Sequence, residues 1–323
     1  MMSLIDFNEL KEKGLRIEFE SPLSFYTTFQ LGGACPTLIF CETSTQLQQA
    51  VQFLKNKKCD FILIGGGSNI VVSDKGIDCA VIRYVSSAPR IQRDCDDLIV
   101  SASTLLDDLA KFAAAQALEG LNYATGIPGT VGGAIVGNAG AFGKQVGDVL
   151  KSVTLIDRKT GDVKEVLPGD LQFTYRNSIL KETGDFVVSA VFSMQSGNKE
   201  SLHKEREEIL SVRASKHPDL STHPCAGSFF RNIEPTSKAG KRQATGWFLE
   251  QAGGKSLAFG GAKIFDKHAN IIVKSNGCTS QDVFELSQMM SELAKKTFNL
   301  DLVREVRFVG RFNGMPDAKP MIW

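Results

Sequence analysis

Hydrophobic and polar residues recur with two different periods along the chain, and these periods predict interleaved helices and strands. In residues 43–57 and 105–117 the apolar positions fall at helical spacing, and Ser44 and Thr45 are suitable N-caps for the first helix. Residues 153–156 and 163–166 flank Lys159-Thr160-Gly161-Asp162, which predicts a β-hairpin. Other short apolar runs bounded by turn residues predict strands at residues 60–64, 70–72, 80–84, 98–101 and 185–194.

The composition becomes polar around residues 195–200, and this change indicates a domain boundary. Beyond a charged helix that reaches residue 216, the pattern predicts strands at residues 228–232, 269–273 and 303–309 and helices at residues 247–252 and 280–297. We therefore expect a first domain at residues 1–197, with lobes at about 1–85 and 86–197, a second domain at residues 198–310, and a loosely ordered tail at residues 311–323.

A glycine-rich segment, Gly65-Gly66-Gly67-Ser68-Asn69, directly follows a predicted buried strand. Glycines let backbone N–H groups approach a phosphate closely, and the serine and asparagine can donate further hydrogen bonds. The segment matches neither G-x-G-x-x-G at the start of a helix nor G-x-x-x-x-G-K-[ST]. A tight turn between two strands would explain the same residues, so both interpretations stay open.

A second glycine-rich segment covers residues 125–143, which carry no charge and contain seven glycines. Pro128 and the glycines exclude a membrane-spanning helix, because an irregular segment in lipid would leave backbone polar groups unsatisfied. We predict a loop. So much glycine costs conformational entropy, which favours close backbone approach to a large ligand over a mere connection. Two such loops in one domain suggest a dinucleotide, although packing of small residues between helix and sheet is an alternative.

Composition restricts the classes of function further. Lys and Arg number 37 against 36 Asp and Glu, so no overall field attracts nucleic acid or an anionic membrane. Seven cysteines without a C-x-x-C pair do not resemble a disulfide scaffold or a zinc site, and the four histidines lack ligand spacing, so we expect no metal. The first twenty residues lack the basic and apolar regions of a secretory signal, so we expect a cytoplasmic protein.

Residues able to do chemistry are dispersed along the rest of the chain. Tyr175-Arg176 precedes a predicted strand, Ser228 follows a glycine at the start of another, and Glu305 lies in the last one. Each alone is unexceptional, since a Tyr-Arg pair is usually a surface anchor and a glutamate in a strand usually faces water. No G-x-S-x-G motif surrounds Ser228, which leaves a hydrolase nucleophile unsupported.

Taken in order, these motifs resemble one family over about residues 21–310. The motifs are Thr28-Phe29-Gln30-Leu31-Gly32-Gly33, the two glycine-rich segments, Tyr175-Arg176-Asn177-Ser178, Gly227-Ser228-Phe229-Phe230-Arg231-Asn232, Gly261-Ala262 with His268-Ala269-Asn270, and Glu305-Val306. The family is that of the UDP-N-acetylenolpyruvoylglucosamine reductases (MurB). The short stretch between residues 232 and 247 resembles its compact subgroup, which lacks an extra tyrosine-bearing loop.

The resemblance implies an α+β protein with a vanillyl-alcohol-oxidase-like (PCMH-type), two-lobed FAD-binding fold and a smaller α+β substrate domain. It implies a cytoplasmic enzyme of peptidoglycan precursor synthesis, which reduces UDP-N-acetylglucosamine enolpyruvate to UDP-N-acetylmuramate. Hydride passes from NADPH to non-covalent FAD, and then from flavin N5 to the enolpyruvyl β-carbon. We expect a monomer that acts on this small UDP-sugar, with no nucleic-acid or membrane partner.

The resemblance also assigns roles to residues, motif by motif. Arg176 would stabilise the negative charge that develops on the substrate, Ser228 would protonate the α-carbon, and Glu305 would assist from the opposite side. The implied FAD contacts are Gly65, Gly66, Gly67, Ser68, Asn69, Gly132, Gly133, Asn138, Gly140 and Ala141. The implied substrate contacts are Tyr175, Arg213, Lys216, Asn232 and Gln251.

Four departures from the family pattern, Thr27, Phe142, Gly254 and Ser256, bear on fine specificity and not on the three proposed catalytic residues. Two alternatives remain. An FAD-dependent oxidase of a sugar or alcohol from the same superfamily would keep the glycine loops but lack the three residues in these contexts. A nucleotide-binding module without catalysis would have no need of them.

Overall fold

A computed structural model of the chain describes residues 5–235 and 240–315. The predicted tail therefore lies largely outside the described residues. The helices are α1 Asn8–Glu12, α2 Ser44–Asn56, α3 Leu106–Ala115, α4 Val131–Gly137, α5 Leu180–Thr183, α6 Lys199–Lys216, α7 Thr245–Gln251 and α8 Ser280–Phe298. Across the described residues, no helix is long and apolar enough to cross a bilayer.

The first lobe is built on a mixed four-stranded sheet. Its order is β1 Arg16–Pro22, β2 Ala34–Cys41, β5 Ala80–Tyr84 and β3 Phe61–Ile64, and β4 Ile70–Val72 follows β3 outside this sheet. Strands β2 and β3 both run parallel to β5. Helix α2 is capped by Thr43 rather than by Ser44 or Thr45, because the Thr43 hydroxyl accepts a hydrogen bond from the Gln46 N–H and the Gln46 side chain accepts one from the Thr43 N–H.

The second lobe is an antiparallel five-stranded sheet. Its order is β12 Val163–Val166, β11 Leu150–Ile156, β13 Phe186–Ser193, β7 Asp97–Ser101 and β6 Ile91–Asp94. The predicted hairpin is confirmed, since Val153 pairs with Val166 and Ile156 with Val163. Short pairs extend this lobe: β8 Leu118–Glu119 with β14 Gln195–Ser196, and β9 Gly140–Ala141 with β10 Lys144–Gln145.

The prediction of a loop throughout residues 125–143 was wrong in its centre, because α4 occupies residues 131–137. The Thr130 hydroxyl caps this helix by accepting a hydrogen bond from the Gly133 N–H. Val131, Ala134 and Ile135 are buried, so helical apolar spacing was present between the glycines. The helix ends at Asn138, whose φ of 43° lies in the left-handed region.

The last third forms an α+β unit in which α7 and α8 accompany a three-stranded antiparallel sheet. Its strands are β15 Ala258–Phe259, β16 Ala262–Phe265 and β17 His268–Lys274. The strand predicted at residues 228–232 is absent, because that segment makes only single bridges, from Ser228 to Ile271 and from Phe230 to Arg304. The strand predicted at residues 303–309 shortens to β18, Arg307–Val309.

The last third and the first lobe are joined by backbone pairing and by a helix cap. Strand β18 pairs in parallel with β4. The Asp74 carboxylate accepts hydrogen bonds from the Ser280 N–H and the Gln281 N–H at the start of α8, at 2.9 and 3.1 Å. A carboxylate at a helix N-terminus also complements the helix dipole. These contacts fix the last third against the first lobe.

Helix α6 packs on α3 of the second lobe. The buried Arg206 side chain donates to the Thr125 hydroxyl at 2.7 Å and to the Asp107 carboxylate at 3.1 Å, and Asp107 accepts from the Gly126 N–H at 2.8 Å. The helix is thus anchored to the beginning of the second glycine-rich segment. A division of the chain at residue 198 stays a prediction.

Candidate active site

A cavity of about 490 Å³ lies where the two lobes and the last third meet. One wall is formed by residues 64–70 of the first glycine-rich segment, and another by parts of residues 127–142. The end of α6 supplies Arg213, Lys216 and His217, and the last third supplies residues 226–228 together with Glu305 and Arg307. Segments that are far apart in sequence therefore line the same cavity, which is the usual arrangement of a ligand site between domains.

The two glycine-rich segments contact each other along this cavity. A β-carbon on Gly66 would lie 3.0 Å from the α-carbon of Gly129, and one on Gly65 would collide with the Thr130 hydroxyl. Ser68 donates from its hydroxyl to the Pro128 carbonyl at 3.0 Å, and Asn69 donates from its amide to the Glu305 carbonyl at 3.2 Å. The glycines are required for this close approach. The first loop is also linked directly to a proposed catalytic residue.

Arg176, Ser228 and Glu305 all lie on the wall of the same cavity. The Nε atom of Arg176 is 3.4 Å from Oε1 of Glu305, and the two side chains are 26% and 19% exposed. Arg176 Nε is buried and has no hydrogen-bond partner among the described residues. The guanidinium has five N–H donors, so those other than Nε–H can serve a ligand in the cavity.

Local backbone geometry places the Ser228 hydroxyl at the cavity. Gly227 has a φ of +75°, which an L-residue seldom adopts, and the turn there is followed by the buried pair Phe229 and Phe230. The Phe229 N–H donates to the Asn270 carbonyl at 2.8 Å, and the Glu305 N–H donates to the Phe229 carbonyl at 2.9 Å. The segment that carries Ser228 is thus hydrogen-bonded to the segment that carries Glu305.

Of the predicted substrate residues, only Arg213 and Lys216 line the cavity. Tyr175 and Asn232 lie outside it and contact each other, since the Tyr175 hydroxyl accepts from the Asn232 N–H at 3.4 Å. Gln251 is exposed at the end of α7. The sequence motifs did not separate these two groups, because the direction of each side chain depends on how α6 and α7 dock.

Sequence reasoning missed three ionisable residues that line the cavity: Lys181, His217 and Arg307. Arg307 could have been found, since it stands two residues after Glu305 in the strand predicted at residues 303–309, where the two would share a face. Burial, with smaller contributions from His268 and the neighbouring cations, lowers the pKa of His217 to about 4, so this imidazole is neutral at physiological pH. Lys181 and His217 carried no motif signal.

The charges around the cavity are strongly unbalanced. Among the described residues, one carboxylate and five basic side chains line it: Glu305, Arg176, Lys181, Arg213, Lys216 and Arg307. The Nε atom of Arg213 is buried and has no hydrogen-bond partner among the described residues. Clustered cations with low-dielectric walls attract anions, so the cavity suits ligands that carry phosphates or carboxylates.

Comparison with known proteins identifies the family to which the chain belongs. Residues 218–309 match the family model described as UDP-N-acetylenolpyruvoylglucosamine reductase, C-terminal domain, and residues 36–167 match an FAD binding domain. UDP-N-acetylenolpyruvoylglucosamine reductase of Lactobacillus acidophilus is 33% identical over 94% of this chain and 98% of its own length. Reductase 1 of Bacillus cereus is 34% identical over 94% and 98%. The chain belongs to the UDP-N-acetylenolpyruvoylglucosamine reductase family.

The solved structure of the family member from Thermus caldophilus matches this fold with a TM-score of 0.74. Its sequence is 28% identical, and the match covers 91% of this chain and 99% of that one. The expected fold class, a two-lobed FAD-binding fold with an α+β substrate unit, is confirmed. The matched FAD binding domain, residues 36–167, covers part of each lobe described above.

The residues of this chain fit an FAD at the glycine loops. Predicted contacts that line the main cavity are Gly65, Gly66, Gly67, Ser68, Asn69, Gly133, Gly140 and Ala141. Gly132 lines an adjoining cavity of about 40 Å³. Asn138 lines neither cavity: its amide donates to Gln145 Oε1 and the Thr174 carbonyl, and its carbonyl oxygen accepts from the Gly147 N–H. These bonds show that the Asn138 side chain stabilises the second glycine-rich segment.

Substituting Gly67 with alanine is expected to abolish flavin binding. Gly67 has a φ of +64°, and a β-carbon there would collide with the Tyr26 carbonyl oxygen, so the loop must move. Gly14→Ala is the matched control, because Gly14 has a φ of +80° with no atom within 4 Å of a β-carbon. Both variants incur the backbone penalty of about 1–2 kcal/mol. The ratio of flavin to protein absorbance should fall at least tenfold in Gly67→Ala alone, and stoichiometric flavin in that variant would contradict the assignment.

Proposed function

We propose that this chain is a flavin-dependent UDP-N-acetylenolpyruvoylglucosamine reductase, which uses NADPH to reduce UDP-N-acetylglucosamine enolpyruvate to UDP-N-acetylmuramate for peptidoglycan synthesis. The observation that carries the proposal is the convergence of Arg176, Ser228 and Glu305 on the cavity that the glycine loops also line. FAD bound at those loops supplies the hydride that the substrate's β-carbon receives. The remaining chemistry depends on this chain's own side chains.

The backbone amides of residues 65–69, with those near Gly133 and Gly140, would hold the FAD diphosphate. Glycine leaves amides open to phosphate oxygens, and the Ser68 and Asn69 side chains are tied to neighbouring carbonyls and so shape the loop. Arg213 at the end of α6 adds a cation beside this loop system. Gly132 is placed to contact the part of the cofactor that enters the adjoining cavity.

Arg176 would stabilise the charge that develops during reduction. Hydride addition to the β-carbon leaves an enolate at the carbon beside the substrate carboxylate. A half-buried guanidinium at the cavity wall stabilises such an anion more strongly than water does. Glu305, 3.4 Å away, orients the guanidinium.

Ser228 would then complete the reaction by giving its proton to the α-carbon. The substrate thereby gains one hydride at the β-carbon and one proton at the α-carbon, and no bond other than the enolpyruvyl double bond is reduced. A serine hydroxyl is a weak acid, so it can act only toward a strongly basic enolate and with nearby cations to support its oxyanion. Arg176 and Arg307 on the same wall provide that support.

The substrate diphosphate would bind Lys216, with Arg213 shared between substrate and cofactor. Tyr175 and Asn232 sit beside this wall as a hydrogen-bonded pair, and Thr245 donates its N–H to Asn232 Oδ1 at 3.4 Å. We propose that the pair borders the entrance for the UDP moiety. A direct contact from Gln251 stays a prediction from the motif alone.

The superfamily oxidase and the catalytically inactive binding module are less well supported. Neither would explain why Arg176 and Glu305 approach each other at the wall that also carries Ser228. All seven cysteines are free thiols, which agrees with a reducing cytoplasm, the compartment that we propose. A monomeric state stays a prediction.

Product analysis tests the proposed activity directly. The purified flavoprotein is incubated with NADPH and UDP-N-acetylglucosamine enolpyruvate, and the nucleotide sugars are examined by mass spectrometry. We expect a product that has gained two hydrogens and whose mass and retention match UDP-N-acetylmuramate. Unchanged substrate with active, flavin-loaded protein would contradict the proposal.

A further inference from the structure

Lys181 lies on α5 and points its ammonium group at the backbone of Arg176. The Lys181 Nζ donates to the Arg176 carbonyl oxygen at 2.6 Å, and Lys181 lines the cavity. Arg176 has a φ of +55°, a left-handed conformation that costs a non-glycine residue about 1 kcal/mol or more. Such a conformation persists only where surrounding contacts hold it.

The other contacts at this turn hold its ends but not the Arg176 peptide itself. Thr174 and Asn177 exchange backbone hydrogen bonds at 3.1 Å in both directions, and the Ser178 hydroxyl donates to the Val136 carbonyl at 2.8 Å. Among the described hydrogen bonds, the Arg176 carbonyl is held by Lys181. The direction in which the Arg176 side chain leaves the backbone thus depends on this ammonium group.

The surroundings of Lys181 make its charge sensitive to mildly alkaline pH. It is faced by Arg176 from its own loop, by Arg231, and by Arg307 and Glu305 from the C-terminal segment. Burial and then the positive charges of Arg307, Arg231 and Arg176 lower the pKa of Lys181 to about 8, while Glu305 opposes this shift. The amine is therefore mostly protonated at neutral pH and loses its charge as the pH rises through about 8.

We propose that Lys181 is a positioning residue that holds Arg176 in its left-handed turn, and so aims the guanidinium at the charge formed on the substrate. This inference rests on the proposed function, because it concerns the second half-reaction. A charge-assisted hydrogen bond is about twice as strong as a neutral one, so losing the proton loosens the turn. Reduction of the flavin by NADPH forms no enolate and does not need this alignment.

The test separates the two half-reactions in Lys181→Met and in the control Lys263→Met, which removes an exposed lysine of β16. We expect Lys181→Met to bind FAD and to be reduced by NADPH at the wild-type rate. Its anaerobic reoxidation by the enolpyruvyl substrate should be about 10- to 100-fold slower, since small misplacements of a catalytic group have effects of this size. Reoxidation within twofold of the wild-type rate would overturn the inference.

The pH profile distinguishes positioning from a merely structural effect. In the wild type, the reoxidation rate should fall as the pH rises through about 8. Lys181→Arg keeps its charge at all these pH values, so it should be faster than Lys181→Met and should not show this fall. NMR of protein labelled with ¹³C at lysine Cε should detect one resonance that titrates near pH 8 and disappears in Lys181→Met.

The wild-type profile and the lysine titration keep the inference testable if Lys181→Met fails to bind flavin. No fall in rate above pH 8, or no lysine that titrates there, would overturn it. The proposed function fails separately, when the wild-type flavoprotein itself is not reoxidised by the enolpyruvyl substrate. Normal wild-type turnover with an unaffected Lys181→Met would contradict the positioning role alone.

Discussion

Ser228→Ala is expected to yield a flavoprotein that NADPH still reduces but that the enolpyruvyl substrate reoxidises about 10²- to 10⁴-fold more slowly. The hydroxyl lies on the cavity wall and is needed only when the α-carbon receives its proton. The predicted FAD contacts lie in other segments and are unaffected by the change. Rapid-mixing absorbance measurements under anaerobic conditions resolve the two half-reactions.

Ser201→Ala is the matched control for this substitution, because Ser201 is an exposed serine of α6 that does not line the cavity. Both half-reactions should keep their wild-type rates in the control. Near-normal reoxidation of Ser228→Ala would remove Ser228 as the acid, and Lys181 or a water molecule would then have to supply the proton. Loss of flavin reduction in Ser228→Ala would show instead that the wall had been distorted.

Arg176→Ala is expected to show the same split between half-reactions, with weaker substrate binding added. Removing one donor from an anion-stabilising site typically lowers the rate about 10²- to 10³-fold. A hydrogen bond to a charged group is worth about 1.5–3 kcal/mol, so the substrate dissociation constant should rise about 10- to 100-fold. The loss also leaves Glu305 without the cation 3.4 Å away.

Equilibrium titration of the oxidised flavin spectrum with substrate measures the binding effect, and anaerobic reoxidation measures the rate effect. Arg311→Ala is the control, since Arg311 forms an exposed ion pair with Asp78 and does not line the cavity. Unchanged substrate affinity together with an unchanged reoxidation rate in Arg176→Ala would contradict the assigned role.

The short apolar runs and the hairpin were predictable because the signals that determine them are local. Residues 61–64, 80–84 and 163–166 form strands where the pattern placed them. The bridges of Ser228 to Ile271 and of Phe230 to Arg304 join residues more than forty positions apart, so no local pattern shows that the segment meets two different partners. Helix α4 was missed because its glycines outweighed the apolar spacing of Val131, Ala134 and Ile135.

The site residues were predictable from the sequence only where they belong to a recognisable motif. Glycines of the first loop were singled out because they let backbone N–H groups approach a phosphate, and the structure also shows Gly66 packed closely against Gly129. Lys181 and His217 become site residues through the docking of α5 and of the end of α6, which depends on the whole tertiary structure. Gln251 was placed in the site by its motif, but the orientation of α7 leaves it exposed at the helix end.

The most direct test of the central claim is an anaerobic absorbance experiment on the purified wild-type protein. Bound flavin should be bleached by NADPH, and addition of UDP-N-acetylglucosamine enolpyruvate should restore the oxidised spectrum in the absence of oxygen. Flavin that stays reduced with this substrate but reoxidises rapidly in oxygen would contradict the account and favour an oxidase. Protein that holds no flavin even after reconstitution would contradict the role assigned to both glycine loops.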